Sequence, residues 1–231
     1  MLEALREAVL EANREVVRRG LVLYTFGNAS GIDRASGLVA IKPSGVPYEN
    51  LGAADLVITD LEGKIVEGAL RPSSDLATHL ELYKAFPKIG GVVHTHSRFA
   101  TSWAQAGREI PCLGTTHADY FHGPVPITEH LSAGEIDEAY ERATGEAIVR
   151  RFRGMNAMAF PGVLVVGHAP FTWGKTPGEA AMHAAILEEI ATMAYYSVTL
   201  NPGAGELPVA VMDKHHLRKH GPDAYYGQVK K

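Results

Sequence analysis

Val92-Val93-His94-Thr95-His96 places two β-branched residues directly before two histidines that are one position apart. With Gly91 in front, the run predicts a strand over 91–96, and Arg98–Ala106 after it predicts a helix. Strand side chains alternate between faces, so His94 and His96 would share one face and Thr95 the other. Two imidazoles so placed can grip one metal ion, and two surface histidines at a strand end give the same pattern. His168 is the third such residue. It follows Gly167 and Val163–Val166, four consecutive β-formers as in a strand buried on both faces. Three histidines at strand ends with an open fourth position match a catalytic zinc site better than a closed structural one.

The rest of the chain fits around these strands. Leu2, Leu5, Val9, Ala12 and Val16 recur at helical spacing, and Gly20 follows as a C-cap. Leu38–Lys42, Leu56–Thr59 and Lys64–Val66 read as short strands punctuated by Gly, Pro and Asp. Leu76, His79, Leu80 and Tyr83 predict a helix ending near Pro87, with Ser73 or Ser74 as its cap. Pro177–Val198 is the longest predicted helix, with Pro177 in its first turn, and Leu207–His220 is a last, polar one. Several strand connections are too short for a crossover helix. The expected fold is therefore a three-layer α/β/α arrangement around a mostly antiparallel sheet.

The chain has 231 residues, 46% hydrophobic and 21% charged, which fits one globular domain over 1–231 with Val229-Lys230-Lys231 as a disordered tail. Lys plus Arg number 22 against 26 Asp plus Glu, a net charge of −4 that argues against a dedicated nucleic-acid binder. Cys112 is the single cysteine, so any metal falls to His and carboxylate ligands, and the compartment expected is reducing. No run approaches the roughly 18 apolar residues of a membrane helix. Glu3, Arg6, Glu7, Glu11 and Arg14 leave the N-terminus without a signal-peptide core, so a cytoplasmic protein is expected.

Three polar segments carry small residues: Gly27-Asn28-Ala29-Ser30-Gly31, Lys42-Pro43-Ser44-Gly45 and Pro72-Ser73-Ser74. Each is compatible with an ordinary turn or cap. Together, with the Lys42 charge and a helix start after Ser74, they could form a nest for a monophosphate. None matches a Walker or dinucleotide fingerprint. Asp75 could be a metal ligand, a base beside a metal, or an acid favoured by the helix dipole. Thr115-Thr116-His117-Ala118-Asp119-Tyr120 has the composition of a solvated loop, and the tail around Tyr225-Tyr226-Gly227 that of a surface or subunit contact.

In combination, Gly27-Asn28-Ala29-Ser30, Lys42-Pro43-Ser44-Gly45, Pro72-Ser73-Ser74-Asp75, His94-Thr95-His96-Ser97 and His168 resemble the class II aldolase/adducin family. The resemblance extends from about residue 1 to residue 228. Within the family it is narrower toward the 4-epimerase members, through Gly114–Tyr120 and through the C-terminal run from Asp213 to Gly227. It implies a homotetramer with active sites between subunits, acting on a pentulose phosphate in carbohydrate metabolism. It implies zinc, with manganese or cobalt also suited, held by His94, His96 and His168. The phosphate pocket it implies comprises Asn28, Lys42, Ser44, Gly45, Ser73 and Ser74. Related aldolases carry Glu where this chain has Asp75, which favours an epimerase. The implied acid/base pair is Asp119 and Tyr226, the latter from a neighbouring subunit, with Glu141, His215 and Arg218 nearby. The alternatives are a sugar-phosphate aldolase, an ascorbate-pathway epimerase and a non-catalytic scaffold of the adducin kind. Arg150–Met158 departs from the family pattern and reads as a shortened loop.

Overall fold

The computed structural model describes residues 2–227, so the expected disordered tail Val229-Lys230-Lys231 lies outside it. Helix α1 (Leu2–Arg18) is followed by β1 (Asn28–Asp33), β2 (Leu38–Ile41), β3 (Val57–Thr59) and β4 (Ile65–Glu67). Helix α2 (Leu76–Ala85) leads to β5 (Gly91–His94) and α3 (Arg98–Gln105). The short α4 (Thr115–Ala118) and the long α5 (Ala133–Arg151) precede β6 (Gly162–Leu164) and β7 (Pro170–Gly174). Helices α6 (Pro177–Leu200) and α7 (Val209–His220) come last. The strands form one sheet in the order β4-β3-β2-β1-β5-β7-β6, and each neighbouring pair is antiparallel.

Alternation along the strands builds two cores. Val39, Ile41, Val57 and Val92 point to one face and pack with Leu80 and Tyr83 of α2 and Ile148 of α5. Ala40, Ile58 and Val93 point to the other and pack with Val9 and Val16 of α1 and Ala180 and Ala184 of α6. This is the expected three-layer α/β/α sandwich, and its seven-stranded ladder is antiparallel throughout.

Four local expectations are corrected. Gly27–Gly31, read as a polar turn, contributes most of β1, a central strand between β2 and β5. Its small residues answer to packing: a Cβ on Gly31 would come within 2.6 Å of Pro177 Cγ and 2.9 Å of Val9 Cγ2. Helices α1 and α6 settle directly onto that backbone, and the buried Asn13 of α1 accepts the Ala29 N–H at 3.0 Å. The strand expected over Val163–Val166 ends at Leu164, and a turn through Gly167 (φ +69°) carries His168 into β7. Neither Ser73 nor Ser74 caps α2, because Asp75 occupies that position. Arg150–Met158 is the end of α5 and a turn whose Phe152, Met155 and Met158 pack on the core, not a bare loop.

Candidate metal centre and its cleft

The β1 register sets Asn28 beside His94, at the ends of two adjacent central strands. His94 is buried and stacks on Phe171 of β7, ring centroids 4.2 Å apart. Its Nδ1–H donates to the Pro170 carbonyl at 3.0 Å, which leaves Nε2 with a free lone pair. That Nε2 lies 3.0 Å from His96 Nε2, beyond the end of the strand. His168 enters from the β6–β7 turn, and the three ligating nitrogens all lie within 4.8 Å of one another. Burial pushes His94 down to about 3. Burial also lowers His96 and, with the nearby His96 imidazole, His168. These rings are therefore neutral near pH 7, the form that binds metal. Three neutral nitrogen donors, His94 at the end of β5, His96 just beyond it and His168 from the β6–β7 turn, suit a zinc-like ion, and also manganese or cobalt.

Asp75 stands at the start of α2, but its carboxylate turns into the cleft and accepts Asn28 Nδ2–H at 2.6 Å. Burial would raise this carboxyl. The His94 and His79 imidazoles, which bear charge only in acid, and the Asn28 amide outweigh burial and hold it low. Asn28 Nδ2 also reaches Ser73 Oγ at 3.0 Å, while Asn28 Oδ1 is buried without a partner among the described residues.

The anion side of the cleft is built around Lys42. It is 1% exposed, its Nζ donates to the Pro43 carbonyl at 3.3 Å, and it lies 4.7 Å from the centre of the Tyr48 ring. Burial lowers its pKa. The Ser73 N–H donates to the Lys42 carbonyl and the Ser44 N–H to that of Arg71, each at 3.0 Å. These bonds pin Lys42–Gly45 and Pro72–Ser74 side by side. The left-handed φ of +70° at Gly45 makes the turn that closes the segment.

One cleft of about 370 Å³ gathers Asn28, Lys42, Ser44, Gly45, Ser73 and Ser74 with Asp75 and the three histidines. Glu141 reaches it from α5. Tyr140 and Phe26 also line it, and neither was singled out in the sequence. Phe26 lies 5.9 Å from the His96 ring.

Asp119, His215, Arg218 and Tyr226 do not line the cleft and form a second cluster where α4 meets α7. Both Asp119 oxygens accept from Arg218 Nη2, at 3.0 and 2.9 Å, and His215 Nδ1 and Lys219 Nζ approach at 3.1 and 3.2 Å. Asp119 is nearly buried. Burial would raise it, but Arg218, His215 and Lys219 hold it below the usual carboxylate range. Tyr226 is 61% exposed, with the Arg218 guanidinium 5.0 Å and Lys219 Nζ 4.4 Å from its ring centre. The expected solvated loop at Thr115–Tyr120 is instead a helical turn with His117 and Ala118 buried.

Residues 7–195 match the family described as Class II Aldolase and Adducin N-terminal domain. The chain belongs to that family. Solved structures similar to this class II aldolase/adducin-family chain include an L-fuculose 1-phosphate aldolase at 24% identity and TM-score 0.76, covering 92% of this chain and 94% of that one. YgbL from Klebsiella pneumoniae is 21% identical, TM-score 0.75, covering 94% and 99%. L-fuculose-1-phosphate aldolase from Thermus thermophilus is 27% identical, TM-score 0.64, covering 88% and 98%. The seven-stranded sandwich is thus the fold of these family neighbours.

Proposed function

We propose that this protein is an L-ribulose-5-phosphate 4-epimerase, interconverting that sugar and D-xylulose 5-phosphate. The observation that carries the reading is one cleft holding three convergent imidazoles and a buried ammonium with no carboxylate partner among the described residues. The first fits a metal and the second an anion such as phosphate. Asp75 in place of a longer Glu, with the Asp119 and Tyr225-Tyr226-Gly227 segments, favours the epimerase over the aldolase.

C4 carries no adjacent carbonyl, so direct proton removal there is unfavourable. Cleavage of the C3–C4 bond avoids that step. A base takes the C4 hydroxyl proton, the bond breaks, and its electron pair passes into the C2 carbonyl as the enediolate of dihydroxyacetone. His94, His96 and His168 would hold a divalent ion, which when bound would supply Lewis-acid stabilisation of that charge. Lys42, Ser44, Ser73 and Ser74 hold the phosphate of the glycolaldehyde phosphate fragment while its carbonyl turns over. Carbon–carbon bond formation on the other face then needs a proton for the new C4 oxygen. Asp119, kept ionised by its cations, and Tyr226 are the acid/base pair. They stand apart from the cleft of their own chain, so in this reading a neighbouring copy in a homotetramer supplies them.

A coupled assay with L-ribulose 5-phosphate, run on metal-free and zinc-restored protein, tests the reading. Zinc-dependent D-xylulose 5-phosphate is the expected product. Mixing inactive His96→Ala and Tyr226→Phe chains restores activity if sites are shared between copies. A second reading, a sugar-phosphate aldolase, is favoured by the L-fuculose-phosphate aldolases among the structural neighbours. Free aldehyde released at the turnover rate, without epimer, would establish it. A scaffold would bind no stoichiometric metal.

A further inference from the structure

Helix α5 is not a straight rod. At Ala139 the backbone leaves the helix, with φ −167° and ψ 70°. Arg150 Nη2 nevertheless lies 2.8 Å from Glu135 Oε1, 15 residues away. A straight helix would separate those backbones by about 22 Å, beyond the reach of the two side chains. The stretch before Ala139 therefore folds back along the stretch after it, and Tyr140 begins the second run.

That second run is clamped to α2. Thr78 Oγ1 donates to the Glu141 carbonyl. Gly145 lets the helices touch: a Cβ there would sit 2.8 Å from Glu81 Cβ and 3.1 Å from Thr78 Cα. Thr144 Oγ1 adds a bond to the Tyr140 carbonyl at 2.8 Å. The break and the clamp together bring Tyr140 to the cleft wall, its ring centre 6.2 Å from that of His168 and its side chain 38% exposed.

We propose that Tyr140 is a substrate-contacting specificity residue, its phenol hydroxyl bonding the hydroxylated carbon chain of a sugar phosphate whose phosphate sits at Lys42. This rests on the sugar-phosphate reading of the cleft and not on the choice between epimerase and aldolase. A phenol fits the task because it donates and accepts without adding charge beside the histidines.

The test compares calorimetric affinities of the zinc-loaded full chain and its Tyr140→Phe variant for L-ribulose 5-phosphate and for inorganic phosphate. One neutral hydrogen bond is worth about a 3- to 10-fold change in affinity. Tyr140→Phe should weaken the sugar phosphate by that factor and leave inorganic phosphate within about 2-fold of the parent. Tyr140→Ala should weaken the sugar further with phosphate again unchanged. If Tyr140→Phe alters neither ligand, or both equally, the assignment is wrong while the sugar-phosphate reading stands. If the parent binds phosphate but no pentulose phosphate, the proposed function fails and Tyr140 loses its role with it.

Discussion

Replacing Lys42 by Met should move stability and ligand affinity in opposite directions. Lys42 is 1% exposed and has as partners a carbonyl at 3.3 Å and an aromatic face at 4.7 Å. Burying an ammonium costs several kcal/mol, and a cation–π contact returns up to about 2 kcal/mol. A methionine of similar length removes the charge and keeps the packing. The ligand-free variant should therefore be more stable by about 1–2 kcal/mol, a rise of roughly 2–8 °C in Tm for a chain of this size. Binding should go the other way. Losing one charge-assisted bond to a phosphate is worth about 1.5–3 kcal/mol, or roughly 10- to 150-fold in Kd. Thermal melts with and without saturating phosphate, followed by KM for the sugar phosphate, read both effects. The pH dependence has a fixed sign as well. Burial holds Lys42 below its ordinary 10.5, so the unfolded chain binds that proton more tightly. Stability should rise as pH climbs from the lowered value toward 10.5, and Lys42→Met should remove that rise. A variant that melts several degrees below the parent without phosphate, or binds phosphate as well as the parent, would refute the argument.

Equilibrium dialysis should find one divalent ion per chain, lost in His168→Ala and in His96→Ala; retention of stoichiometric metal by either variant would dismiss the three-histidine centre. Gly31→Ala should cost about 1–3 kcal/mol by overpacking, since its Cβ meets Pro177 and Val9 at 2.6 and 2.9 Å, and denaturant midpoints measure it. Burial pulls His79 and His117 down to about 4. Below about pH 6.5 the unfolded chain takes those protons first, so stability should fall from there toward pH 4, by up to about 3 kcal/mol for each. Urea melts across that range should show the loss, and His117→Asn should make it shallower.

The elements legible in the sequence were those whose own side chains choose the conformation. The heptad-like spacing of α1, the β-branched pairs of β3 and β5 and the apolar length of α6 each carry their period in view. Strand β1 does not. Asn28-Ala29-Ser30-Gly31 is small and polar because two helices and a cleft press on it, a demand made by residues far away in the chain. Strand β7 was missed because Pro170 opens it and its pattern is only five residues long. Helix α5 was missed because no regular apolar period runs through Ala133–Arg151, and no Gly or Pro marks its break at Ala139. The histidine pair was legible from the alternation expected of a strand, although β5 ends at His94 and His96 lies just beyond it. Tyr140 was not, since its place depends on that unmarked break. The burial of Lys42 was equally hidden, because Lys-Pro-Ser-Gly looks like any exposed turn until Tyr48 and Pro72 close around it.

The separation of the two clusters bears directly on the proposed mechanism. The groups suited to holding metal and phosphate line one cleft, and no residue of α4 or α7 joins them. The acid/base pair of the proposed mechanism lies around Asp119, where Arg218, Lys219 and His215 latch α7 down, while the cleft carries Asp75 and Glu141 of its own. A latched carboxylate is ionised and fixed in place, which favours a base that works by position. Within one chain it has no aldehyde to act on. The rings of Tyr225 and Tyr226 beside it, and of Phe26 at the cleft, are exposed, and the proposed shared site would bring them against a second copy. Bringing the α7 cluster of one copy to the cleft of another joins the two halves without distorting either. The proposed epimerase mechanism would then use a site shared between subunits. On that proposal, an isolated chain would keep its metal and phosphate affinity and lose the epimerisation, and activity measured against protein concentration tests it.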